Sequence, residues 1–196
     1  MNTSTQASAT PNLASVQTSR HGSTLGRISL FLMIPGGLLA AAWVTAGRSL
    51  LGAGGDFVPV FALSLGPALA LVYLTAAFFS FKEVKLQKTG VGAGLPLVTA
   101  LVQASGWVLA FLFGLLVPDR IDGVTVSAAA SIFGSDVVGL SAGFGNTAGI
   151  LTFAFAVAVL LMSISTWRTS KEAARGINAD VREQLEREES IYDFLD

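Results

Sequence analysis

The chain has 196 residues, 13 acidic and 12 basic side chains, and a formal net charge of −1, so it carries no overall basic field of the kind nucleic acids attract. Charged residues make up 13% and hydrophobic ones 52%, against about 25% and 45–50% in water-soluble domains, and that shortage of charge points to lipid as the solvent. With no cysteine and a single histidine, His21, disulfides, thiolate metal sites and cysteine nucleophiles are excluded, and the hydrophobic part of the chain lacks a histidine ligand or base.

Residues 1–24 are rich in Ser, Thr, Asn and Gln, contain no acidic residue and meet their first basic one at Arg20; they read as a disordered polar tail. The apolar stretch that follows is long and has no convincing cleavage site, so it reads as a retained helix and not as a signal peptide. Residues 25–168 then form a transmembrane domain of four helices. The first run, Ile28 to Gly47, holds 20 residues without a charge, which as a helix measures about 30 Å, the thickness of the hydrocarbon core. Lipid leaves few alternatives to helix, so Pro35-Gly36-Gly37 predicts a bend and not a break. The second run, Phe57 to Phe81, has Pro67 after Gly66, where another bend is expected. The third covers about Val91 to Val117, with Pro96 placed as a first-turn proline, and ends at Pro118-Asp119. Because Gly139, Gly143, Gly145 and Gly149 crowd the start of the last apolar stretch, the fourth span is expected only from about Thr147 to Trp167.

Residues 118–146 then form an apolar connection too long for a tight turn, expected to cap the end of the bundle on the outer membrane face or to dip in as a partial hairpin. Residues 169–196 are charged. From residue 171 onward there are eight acidic residues against four basic ones. Ile177, Val181 and Leu185 recur at four-residue spacing, with opposite charges one turn apart at Arg182 and Glu186 and at Glu183 and Arg187, which predicts a cytoplasmic amphipathic helix. Its end, with Tyr192, Phe194 and Leu195 among acids, is a candidate partner-docking surface.

Lysine and arginine sort by connection. Arg20 and Arg27, then Lys82, Lys85 and Lys88, then Arg168, Lys171 and Arg175 flank alternate ends and belong in the cytoplasm. The remaining connections offer Arg48 and Arg120 beside Asp56, Asp119, Asp122 and Asp136. The expected protein is therefore an all-α, multi-pass four-helix bundle of the cell membrane with both termini cytoplasmic.

Small residues recur four apart in each span: Gly36 and Ala40; Ala62, Gly66 and Ala70; Gly106, Ala110 and Gly114; Gly145 and Gly149. They suit close helix contact, within the chain or with another copy. Gln103, followed by Ser105, is the most polar side chain set deep in a span and should face the bundle, as interhelical glue or as the lining of a path. Tyr73, Thr75 and Thr99 are candidate partners for it. Trp43, Trp107 and Trp167 suit interfacial anchors. Gly143-Phe144-Gly145-Asn146 has the residue types of a filter loop or a phosphate-cradling turn, without the basic residue or strand-turn-helix context either needs.

The four apolar runs contain no Asp, Glu, Lys, Arg or His, which argues against proton-coupled transport, voltage sensing and intramembrane hydrolysis. No cofactor, metal or catalytic constellation is indicated. The expected role is a non-catalytic accessory or scaffold subunit, partnered by the lipid bilayer and by a protein or further copies of itself. The alternative is a small oligomeric channel or transporter with a path near Gln103. An enzyme would have to rely on exposed acids such as Asp119, Asp122 and Asp136.

Overall fold

The computed structural model describes residues 23–86 and 94–175. The N-terminal tail and the whole docking segment with Ile177, Val181, Leu185, Tyr192, Phe194 and Leu195 lie outside them. In chain order the elements are α1 (Thr24–Thr45), a 3-10 turn (Gly47–Leu51), α2 (Phe57–Leu63), α3 (Leu65–Leu86), α4 (Leu97–Leu116), β1 (Asp119–Ile121), β2 (Val124–Val126), α5 (Ala128–Phe133), a second 3-10 turn (Ser135–Val137) and α6 (Val138–Ala174). Among the described residues four helical units are long and apolar enough to cross a membrane: α1, α2 with α3, α4, and α6 with the turn before it. α1 packs on α3 and α4, and α6 packs on the same two, which sets α1 diagonally across from α6 and α3 across from α4.

Local chemistry explains the boundaries. Ser23 caps α1 by accepting from the Gly26 amide at 3.0 Å. α1 continues through Pro35 without a break. Pro67 behaves differently: it has no N–H for the carbonyl one turn back, and the second span is divided at Ser64, whose backbone (φ −126°, ψ −81°) leaves the helical region. Pro96 takes the N-cap position of α4 with an extended backbone, so the third helix starts at Leu97 and not near residue 91. Leu95 donates its amide to Gly26 O at 3.2 Å and ties the start of α4 to that of α1.

The largest departure from expectation is α6, which runs for 37 residues from Val138 and takes in the whole glycine cluster. Gly145 and Gly149 face α4, where a Cβ would meet Leu116 O at 3.1 Å and the Phe113 ring at 2.8 Å, whereas Gly139 and Gly143 face open space. The tertiary contact to α4 and the shelter of helical hydrogen bonding outweigh the helix cost of glycine, about 1 kcal/mol each. Gly143-Phe144-Gly145-Asn146 is accordingly ordinary helix, not a loop.

The connection 118–137 is also structured. Arg120 pairs with Thr125 in a two-stranded antiparallel hairpin, whose tip, Asp122 (φ 51°) and Gly123 (φ 79°), has the two positive φ angles of a type I′ turn. Ser127 caps α5, accepting from Ala130 N at 3.1 Å, and donates to Ser141 Oγ at 3.0 Å, which fastens α5 to the start of α6. The end of the bundle that carries these pieces is called the hairpin end below.

The core has two apolar clusters. Toward the hairpin end lie Val44, Leu69, Ala110, Phe113 and Ala148, and toward the opposite end Met33, Ala76, Leu95, Ala100 and Val159. The small residues of the spans largely face this core. Gly36 lies under the Trp107 ring, Gly66 against Thr45, Gly106 against Tyr73, and Gly114 against Trp43, while Ala40 and Ala110 are buried. They serve contacts within the chain, and only Ala62 is fully on the outside.

Candidate functional site

Two places hold buried polar groups of unusual character. The first is at the hairpin end, where Arg48 and Asp119, both fully buried as side chains, approach to 3.0 Å between Nη2 and Oδ2. The contact is one of charges and not an aligned hydrogen bond, because no guanidinium nitrogen finds a well-directed acceptor. The guanidinium also lies 4.7 Å from the centroid of the Phe61 ring. Burial pulls Arg48 below its ordinary pKa and the Asp119 charge counters it; the group still stays protonated. Asp119 does more than neutralise. Its carboxylate accepts from the amides of Gly55 and Phe57, both at 2.9 Å, and of Arg120 at 2.7 Å, while Asp56 N donates to Arg120 O at 3.0 Å. A residue from the β-hairpin thus caps the start of α2 across the chain. Gly55 is required there, since any Cβ would collide with Arg120 O.

Sequence alone treated Arg48 and Asp119 as exposed flanks, and the structure corrects both. The signal was faint but present: Arg48 follows the first apolar run directly and Asp119 follows the third after Pro118, at the same predicted end and with opposite charge. Of the other acids considered, Asp122 and Asp136 are exposed.

The second place is the centre of the bundle. Gln103 is fully buried, on the face of α4 that also carries Thr99, Gly106 and Ala110. Tyr73, 1% exposed, has its Cβ against Gly37 and its hydroxyl beside Gly106, so this side chain crosses the bundle from α3 to α4. Trp107 lies over Gly36. Four atoms here, Tyr73 Oη, Gln103 Nε2 and Oε1, and Trp107 Nε1, are buried without a hydrogen-bond partner. Each such group costs about 1–3 kcal/mol when left dry.

The expected partners of Gln103 divide accordingly. Tyr73 and Thr99 share its core but do not bond it, and Thr75 sits on the outside, donating to Leu71 O at 2.7 Å. Ser105 is exposed, on the other side of α4 from Gln103. Trp43 and Trp167 lie toward opposite ends: Trp43 donates to Phe111 O at 3.0 Å, and Trp167 packs on Phe79 with Lys171 5.0 Å from its ring. Trp107 departs from the interfacial pattern and belongs to the centre.

One further group was missed. α3 runs on to Leu86 and buries Glu83 to 1% exposure, one turn from the Ser80–Ser163 hydrogen bond of 2.9 Å. The second apolar run is free of Asp, Glu, Lys, Arg and His as far as Phe81, and the helix that carries it continues through Lys82 and Glu83. Comparison with known proteins returned no match, whether to a family model, a curated protein or a solved structure.

Proposed function

We propose that this chain is a four-span integral protein of the cell membrane with both termini in the cytoplasm, and that it serves as a non-catalytic accessory or scaffold subunit whose C-terminal segment engages a protein partner. The observation that carries this reading is the course of α6. At 37 residues it is about 55 Å long, well beyond the 30 Å or so of a hydrocarbon core. Past Trp167, its ring packed on Phe79 and approached by Lys171, the helix continues to Ala174. The charged segment that begins there is followed in the sequence by the patterned residues Ile177, Val181 and Leu185. Orientation is supported by the distribution of basic residues, and of the two at the hairpin end, Arg48 is engaged by Asp119.

The test compares partners recovered with the full chain and with a chain ending at Arg175, after extraction in mild detergent. Loss of a stoichiometric partner on truncation is expected, and an unchanged set refutes the tail's role. The channel reading draws on the unpartnered groups around Gln103. A path shared between copies would need Gln103 on an outer face, but its side chain is enclosed by helices of its own chain, so that reading requires a path within one bundle. Flux through reconstituted protein that falls in Gln103→Leu would favour it over the accessory role.

A further inference from the structure

We propose that the bundle centre is a hydration site, in which bound water bridges the side chains of Tyr73, Gln103 and Trp107. Their convergence follows from the helix contacts. Gly36 and Gly37 are adjacent on α1, and one bears the Trp107 ring while the other bears Tyr73 Cβ. Tyr73 Oη reaches Gly106, where a Cβ would come within 2.9 Å of it. Gln103 stands one turn before Gly106 and Trp107 on α4, and a helical side chain leans back over the turn that precedes it, so Trp107 covers the turn of Gln103.

None of the four buried polar atoms bonds to another or to any protein group, so they require a bridge. Their inventory is rich in donors: two amide hydrogens, one phenol and one indole, against the acceptors Gln103 Oε1 and Tyr73 Oη. The guest must accept several hydrogen bonds and donate to one or two. An ion is unsuited. Among the described residues the buried charged side chains are Arg48, Glu83 and Asp119; Glu83 follows Tyr73 by ten residues of the same helix, about 15 Å away. A larger organic molecule is unsuited too, because Gly36, Gly37 and Gly106 already bring their neighbours to contact distance. Water, the smallest guest that both accepts and donates, suits the site by its two to four hydrogen bonds.

The full chain, labelled with 15N-tryptophan and reconstituted in phosphatidylcholine nanodiscs, provides the test through magnetisation transfer from water to the indole protons. Trp107→Phe assigns the signal among the three indoles. Transfer from water to the Trp107 indole is expected in the unmodified chain and is lost in Gln103→Leu and in Tyr73→Phe. A silent Trp107 indole in the unmodified chain overturns the proposal, as does transfer that persists undiminished in both variants. Tyr73→Phe keeps the ring that packs on Gly37, so it provides the reading even where Gln103→Leu does not fold.

Discussion

The hairpin end and the centre of the bundle treat buried polarity in opposite ways. At the hairpin end two charges are enclosed, and one of them, Asp119, is held by three backbone amides and a guanidinium drawn from two separate connections. At the centre the groups are neutral, and Gln103, Tyr73 and Trp107 have no protein partner at their polar atoms. A buried charge must be compensated on the spot by the fold, whereas a neutral amide or phenol costs far less to bury and can be left to a bridging guest. Structure is concentrated in the first region and unassigned chemistry in the second.

Breaking the first region has the largest expected effect. Asp119→Ala leaves Arg48 buried with an uncompensated charge and removes the cap from α2, costing about 3–5 kcal/mol, read as loss of thermal stability in detergent. Replacing both partners, Arg48→Met with Asp119→Leu, recovers most of the loss from the ion pair but not that from the amides of Gly55 and Phe57. A full recovery would show that the capping role is negligible.

A mid-sized effect separates packed from open glycines along α6. Gly149→Leu drives a side chain into Phe113 and costs about 1–3 kcal/mol, while Gly143→Leu, with nothing within 4 Å of its Cβ position, is neutral or gains up to about 1 kcal/mol from helix propensity. Equal effects in the two variants would contradict the packing of α6 on α4. The smallest change comes from Ser163→Ala, which deprives Ser80 of its acceptor at 2.9 Å; about 0.6 kcal/mol is expected, as for interhelical hydrogen bonds generally.

The long apolar runs were legible because composition and length alone determine whether a helix can cross a membrane, and the described residues contain four such helices. Pro67 also marked its disruption correctly, since the missing N–H is a property of the residue itself. The start of α6 was not legible: intrinsic propensity argues against helix at Gly139 to Gly149, and the α4 surface that accepts Gly145 and Gly149 is invisible in a linear sequence. The hairpin was missed although Asp122-Gly123 is a strong turn signal between short alternating segments. Of the candidate site, Gln103 was identifiable as a buried amide, because its polarity within a span requires it to face inward. Its association with Trp107 was not, since an interfacial anchor and a central tryptophan look the same in one dimension. Arg48 and Asp119 lie 71 residues apart, and their shared position at one predicted end of the bundle, with opposite charge, does not by itself separate a buried pair from two flanking charges.

In the proposed topology four helices cross the bilayer and hold the hairpin on one side and the ends of the chain on the other. With no native cysteine, single replacements give a clean readout with a membrane-impermeant thiol reagent. The account predicts that Asp122→Cys is labelled in intact cells while Lys85→Cys and Arg175→Cys are labelled only after permeabilisation. Labelling of Lys85→Cys or Arg175→Cys from outside, with Asp122→Cys protected, would contradict it.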